Sequence, residues 1–218
     1  MIAPADRCEA VAIGGSMGAL QVLIELTERA PAALALPIFV CLHLHASDRG
    51  RTAAHLALGS GMRLVEASDK EAVVPGTIYF APAEYHLLVE RSRTLALSSD
   101  EKVNFSRPSI DVLFESAALA YGSGLVALLL SGANADGARG LATVRRCGGT
   151  ALVQDPSSAP APMMPQAALD LRAVDRVLSV AAMSTLLERL HHDRSVSAAL
   201  RGLGTACGAP APLGGPTP

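Results

Sequence analysis

Ala10-Val11-Ala12-Ile13-Gly14-Gly15-Ser16-Met17-Gly18 is the stretch from which the fold is read. Its first four residues are an apolar run of strand type. Downstream, Gly18 to Arg29 reads as a helix with Leu20, Leu23, Ile24 and Leu26 crowding one side. Ser16 therefore stands at a sharp strand-to-helix turn, in the Gly-x-Ser-x-Gly pattern of a nucleophile elbow. Glycines on either side permit a turn in which bulkier residues collide. The N–H that follows the serine, that of Met17, lies at a helix N-terminus, where negative charge is stabilised. Three local readings stay open: a nucleophilic serine, an anion-binding turn, or a βα connection without chemistry. The stretch matches neither G-x-G-x-x-G nor G-x-x-x-x-G-K-[ST].

Outward from this unit, strands and helices alternate. Pro37 to Leu42 is almost wholly apolar, as suits a parallel strand buried on both faces, and it ends at His43-Leu44-His45. A helix is expected from about Gly50 to Leu58. Four short strands, Met62–Val65, Thr77–Phe80, His86–Val89 and Thr94–Leu97, then read as a β-meander or hairpin inserted in the scheme. Pro108 and Asp111 open the next helix, with Val112, Phe114, Ala117 and Ala118 facing the core. Gly124 to Leu130 is the clearest buried strand, and it runs into the turn-rich Ser131-Gly132-Ala133-Asn134-Ala135-Asp136-Gly137 before a helix to about Arg146. A strand at Thr150–Val153, a surface loop from Pro156 to Pro165, a short helix after Pro165, a strand near Arg176–Leu178 and a helix from Ala181 to about His192 complete the unit. The expected fold is α/β: a doubly wound, mostly parallel sheet flanked by helices, with a small antiparallel β insertion. Residues 1–8 read as a leader, 9–192 as the folded domain and 193–218 as a flexible Gly/Pro/Ala-rich tail.

Composition narrows the function. With 218 residues, 50% hydrophobic and mean hydropathy +0.34, the chain builds one sizeable core. A net charge of −2 with no basic run argues against a nucleic-acid partner. Aromatics at 3%, with no Trp, argue against base or sugar stacking as the main business. Cys8, Cys41, Cys147 and Cys207 lack metal-ligand or disulfide spacing and suit a reducing cytoplasm. No signal peptide is evident, and no apolar run is long enough for membrane insertion.

The strands ending near Ile13, Leu42 and Leu130 all lead into helices, so their C-terminal ends share one sheet edge, where ligands gather in such folds. The polar residues there are Ser16, His43 with His45, and Asp136. Hydroxyl, imidazole and carboxylate are the inventory of nucleophile, general base and orienting acid. Each also has a plainer reading: a structural strand-end histidine, a helix-capping aspartate, a turn serine.

Several stretches carry a family resemblance: Ala12-Ile13-Gly14-Gly15-Ser16-Met17-Gly18, the strand ending at His43, Pro75-Gly76 with Tyr79-x-Ala81-Pro82 and His86, Arg107 to Phe114, Ser131-Gly132-x-x-x-Asp136-Gly137, and Met164-Pro165. From about Glu9 to Leu190 the chain resembles the catalytic domain of the chemotaxis protein-glutamate methylesterases of CheB type. The resemblance implies a triad of Ser16, His43 and Asp136, with His45 and His86 outside it, and backbone N–H groups of Met17 and the Ala133 region receiving the oxyanion. It implies hydrolysis of γ-glutamyl methyl esters on the cytoplasmic helices of methylated chemoreceptors, with methanol released and glutamine deamidation as a companion reaction. No metal or organic cofactor is expected. The family usually carries an N-terminal receiver domain; here the first strand begins near residue 9, which reads either as a stand-alone esterase controlled by a separate receiver or regulatory protein, or not at all, or as a fragment. Met17 stands where a threonine is common, Ala19 where a second glycine is, and Ala133-Asn134 where Met-Gly is. These departures bear on activity and favour, as alternative, a repurposed relative that binds a partner through the same cleft.

Overall fold

The computed structural model describes residues 6–45 and 47–207. Most of the expected leader and the end of the expected tail lie outside these. In chain order the elements are β1 (Ala10–Gly15), α1 (Ala19–Arg29), β2 (Ile38–Leu42), α2 (Arg51–Gly59), β3 (Arg63–Glu66), β4 (Thr77–Phe80), β5 (His86–Val89) and β6 (Leu95–Ser98). There follow α3 (Ile110–Tyr121), β7 (Leu125–Leu129), α4 (Ala138–Arg146), β8 (Thr150–Gln154), α5 (Met163–Asp170), β9 (Arg176–Leu178), α6 (Val180–Asp193), α7 (Val196–Ala199) and β10 (Thr205–Ala206).

Eight strands make one sheet in the order β10-β9-β8-β7-β1-β2-β4-β3, and every pairing is parallel except β10 with β9. The chain leaves β1 toward β2 and later returns on the other side through β7. The order thus reverses between β1 and β7, which opens a crevice at their C-terminal ends.

Strand residues alternate between two cores because successive side chains point to opposite faces. Val11, Ile13, Val40 and Leu128 pack with Leu23, Leu26, Leu56 and Leu187 of α1, α2 and α6. Ala10, Ala12, Phe39, Ala127 and Ala151 face α3, α4 and α5, meeting Phe114, Leu141 and Met164. The small residues on this second face let α3 come close. A Cβ on Gly14 would stand only 2.2 Å from Ile110 Cγ2, so glycine there brings the start of α3 against the end of β1.

Several expectations are revised. The region read as a meander is divided: β3 and β4 are parallel members of the main sheet, and only β5 and β6 pair antiparallel. The segment between β3 and β4 is long enough to cross back, which parallel pairing needs. It runs beside β6, with Lys70 N–H bonded to Leu95 O and Val73 N–H to Arg93 O. The described part of the expected tail is ordered, because α7 and β10 use it and β10 extends the sheet. The end of the leader is also tied down, since the Asp6 carboxylate accepts bonds from Ser195 and Ser197. On α3, Leu113 and not Val112 joins the core, and Leu20 of α1 is 38% exposed. α5 begins at Met163 and includes Pro165 in its first turn, where a missing N–H costs nothing.

Candidate active site

Parallel register brings the three loops together. Gly15 pairs with Leu42 and Gly14 with Leu129, so Ser16, His43 and the Leu130–Ser131 segment leave the sheet side by side. Backbone bonds carry the alignment past the strands: His43 N–H donates to Gly15 O at 3.2 Å, and Ser16 N–H to Ser131 O at 2.9 Å. Ser131 Oγ donates to Met17 O at 2.8 Å, which ties the elbow to the β7 loop.

Among the three expected residues the shortest side-chain contact is between His43 and Asp136, at 2.7 Å from Nε2 to Oδ2. The His43 side chain is 13% exposed and that of Asp136 is fully buried. Asp136 does not cap the helix that follows it; the N-cap of α4 is Gly137. Its carboxylate sits at the N-terminus of α3. There Oδ2 accepts the Ile110 N–H at 2.7 Å, and Oδ1 accepts the Ser109 hydroxyl at 2.9 Å and the Asp111 N–H at 3.2 Å. Burial pushes the Asp136 carboxyl up, but the bonds from His43, Asn104 and Ile110 outweigh it, and the group lies below its ordinary value. An ionised Asp136 accepts a hydrogen bond from the Nε2–H, which leaves Nδ1 as the nitrogen with a free lone pair. That wiring is reversed from the serine-protease pattern, where Nδ1 faces the acid.

Nδ1 faces Ser106 Oγ at 3.4 Å. Among the described residues, no hydrogen bond joins the Ser16 hydroxyl to His43. A bond between a nucleophile and its base is often long before substrate binds. Ser16 is partly exposed at the mouth of the crevice. Gly18, with φ at 79°, turns the chain into α1; a Cβ there would meet Pro160 at 2.7 Å. Among the described residues, the N–H groups of Met17 and Ala133 have no acceptor, so both are free to receive a ligand oxygen. Asn134 lies outside the left-handed residues, so its Cβ is accommodated, and its Oδ1 accepts the Asp136 N–H at 3.1 Å. Met17 is 65% exposed and displaces nothing.

A cavity of about 360 Å³ opens beside His43, lined also by Leu44, Glu84, Lys102, Phe105 and Arg107. A second, apolar one of about 390 Å³ adjoins the β7 loop at Ala133, Ala161, Pro162, Met163 and Gln166. Of the other histidines, His45 also lines the first cavity, but neither it nor His86 bonds Asp136. His45 Nδ1 bonds Ser47 at the surface. His86 is buried; its Nδ1 accepts the Ser109 N–H at 3.1 Å, so its Nε2–H donates to Glu101 O at 3.0 Å. Among the described residues, no three His, Cys, Asp or Glu side chains are placed to hold a metal ion.

The sequence reading misses Asn104, whose amide touches Asp136, and Ser106, whose hydroxyl faces His43. Their signal is weak: both lie in a short turn before α3, and an Asn there announces only a left-handed backbone.

Residues 11–187 match the family model described as CheB methylesterase. A Leptospira interrogans protein, provisionally named protein-glutamate methylesterase/protein-glutamine glutaminase, is 40% identical over 182 residues, covering 84% of this chain and 94% of that one. A Caulobacter vibrioides protein-glutamate methylesterase/protein-glutamine glutaminase is 38% identical over 79% of this chain and 51% of its own length, so the chain spans about half of that relative. Among solved structures, the Thermotoga maritima CheB methylesterase catalytic domain superposes with a TM-score of 0.80 at 29% identity, covering 84% of this chain and 98% of that one.

Proposed function

The chain belongs to the CheB methylesterase family, and from that premise we propose that it hydrolyses γ-glutamyl methyl esters on the cytoplasmic helices of methyl-accepting chemoreceptors. The single observation that carries the chemistry is the 2.7 Å His43–Asp136 pair beside a serine elbow at the switch point of the sheet.

Ser16 Oγ attacks the ester carbonyl carbon while Nδ1 of His43 takes its proton. To do so the serine hydroxyl takes the place beside Nδ1 that Ser106 holds at 3.4 Å. Asp136 keeps the second ring proton on Nε2 and stabilises the imidazolium. The N–H groups of Met17 and Ala133 receive the oxyanion; loss of one such donor costs about 3 kcal/mol in the barrier. The imidazolium then protonates the methoxide oxygen as the carbon–oxygen bond breaks, and methanol leaves the acyl-enzyme. Water, deprotonated by His43, adds to the acyl carbon; the bond to Ser16 Oγ then breaks as the imidazolium returns the proton to that oxygen, releasing glutamate. A glutamine side chain follows the same path with ammonia as leaving group, which is the companion activity named in the relatives.

The setting is cytoplasmic, with receptor helices as substrate and a receiver or regulatory protein as partner. Among the described residues no helix is long and apolar enough to cross a membrane. Met17 and Asn134 are accommodated without left-handed strain, so neither favours a binding-only role.

Methanol release from methylated receptor tests the proposal. The wild type releases methanol, and Ser16→Ala, with an unchanged circular dichroism spectrum, releases none above background. Release by the Ser16→Ala protein at the wild-type rate overturns the assignment.

A further inference from the structure

Two buried carboxylates lie side by side beneath the site, and only one is used by the reaction. Asp111, in the first turn of α3, is 3% exposed; its Oδ1 accepts the Gly140 N–H at 2.7 Å. Asp136 is the other. Among the described residues neither is paired with a lysine or arginine. The side chain that touches both is Asn104: its Nδ2 donates to Asp111 Oδ2 at 2.8 Å and to Asp136 Oδ1 at 2.8 Å. Two acceptors on one nitrogen fix the amide orientation, because the carbonyl oxygen has nothing to offer a carboxylate.

The turn that presents this amide is built for it. Val103 and Ser106 exchange backbone bonds at 3.1 and 2.9 Å, and the two residues between them, Asn104 and Phe105, have φ of 50° and 63°. This is a type I′ turn, in which asparagine is at ease and phenylalanine is not. The next residue, Ser106, is the one that faces His43 Nδ1. A single turn thus reaches both the acid and the base of the site.

We infer that Asn104 is a positioning residue for the reaction proposed above, its amide wedged between Asp136 and Asp111 so that Asp136 turns its other oxygen to His43. The inference rests on that reading of the site, yet its physical content is the hydrogen-bond geometry alone. With Oδ1 saturated by Asn104, Ser109 and the Asp111 N–H, Oδ2 is left to His43 and the Ile110 N–H. The titratable groups that face Asp136 are His43 at the end of β2, Asp111 on α3 and the buried Cys41 thiol within β2. Burial, and after it the charge of Asp136, hold the Asp111 carboxyl above its ordinary value, against the opposing Gly140 and Asn104 bonds. Without the amide the two carboxylates confront each other directly.

Asn104→Gly is the decisive variant, because glycine takes φ near 50° freely and only the amide is lost. Its kcat for methanol release is expected to fall about tenfold with KM within twofold, the cost of one charge-assisted bond. The acid limb of its pH–rate profile, which reports the coupled His43–Asp136 pair, moves to higher pH. The direction follows from the chemistry: a carboxylate that loses a donor is more basic and binds the imidazolium more tightly. Asn104→Asp adds a third acid and is expected to move the limb further and lower kcat more. The proton resonance of the His43 ring N–H that donates to Asp136 is to shift or broaden in both. A folded Asn104→Gly protein with wild-type kcat, acid limb and ring-proton resonance overturns the inference. The resonance reads the pair without turnover, so an absence of methanol release from the wild type counts against the esterase assignment and not against Asn104.

Discussion

Asp136 is fully buried, yet five donors converge on its two oxygens. Asp136→Asn keeps the shape but makes one of those acceptors a donor, which then faces an N–H or O–H. We expect a loss of about 2 kcal/mol in folding stability, the usual penalty for a spoiled buried bond. Turnover is expected to fall by about 10³- to 10⁴-fold, because the ring then no longer keeps its proton on Nε2. The pH dependence has a definite sign. The folded carboxyl lies below its unfolded value, so its contribution is fully present above the unfolded pKa of about 3.9 and is lost as pH falls through the depressed folded value. Calorimetry should therefore find the wild type ahead of Asp136→Asn in Tm at about pH 5 and above, with the margin closing below about pH 4. A margin unchanged down to the acid transition would mean that Asp136 is not held ionised in the fold.

At the scale of elements, the turn from Val103 to Ser106 is the piece that local propensity does not explain. Phe105 is 97% exposed and left-handed at its tip, beside the cavity that His43 lines. A buried aromatic repays such strain by packing; this one is almost wholly exposed, and we expect it to meet a docked substrate. Phe105→Gly relieves a left-handed cost of about 1–2 kcal/mol while adding about 0.5–1 kcal/mol of chain entropy. Its Tm is therefore expected to stay within about 3 °C of the wild type. Its KM for methylated receptor is expected to rise severalfold with kcat retained, as steady-state methanol release will show; an unchanged KM would remove Phe105 from substrate contact. The β5–β6 hairpin has the opposite character. Leu87, Val89 and Leu95 are buried against α3, and Val89 N–H donates to Ser116 Oγ at 3.1 Å, so it braces the helix whose N-terminus holds Asp136.

For the molecule as a whole, the start of the described chain is clasped to the turn between α6 and α7. Cys8 N–H donates to Arg194 O at 2.7 Å, Arg7 bridges Ser195, and the Asp6 carboxylate holds Ser195 and Ser197 at the start of α7. Asp6 is partly buried and still reached by water, which screens part of the contribution. Asp6→Ala is expected to lower Tm by only about 2 °C, as for loss of an exposed helix cap, and to leave methanol release unchanged. A drop of ten degrees would make the clasp a keystone of the fold. The clasp lies away from the crevice between β1 and β7 and adjusts the fold without touching the site.

The amino-acid sequence on its own determined the βα order, the buried strands at β1, β2 and β7, and the elbow around Ser16, because apolar runs and glycine punctuation are local signals. It also placed Ser16, His43 and Asp136 on one edge, since strands that all lead into helices must point the same way. Only the tertiary structure decided that β3 and β4 join the main sheet, because short strands look alike until their partners are known. The same holds for α7 and β10, whose stretch reads as tail by composition: Asp6, from the far end of the chain, holds the start of α7, and β9 pairs with β10. Which nitrogen of His43 meets Asp136, and that Asn104 binds two carboxylates at once, are matters of angstroms between loops distant in sequence. Periodicity and composition carry no information about such distances; packing of α3 onto the alanine-rich face of the sheet sets them.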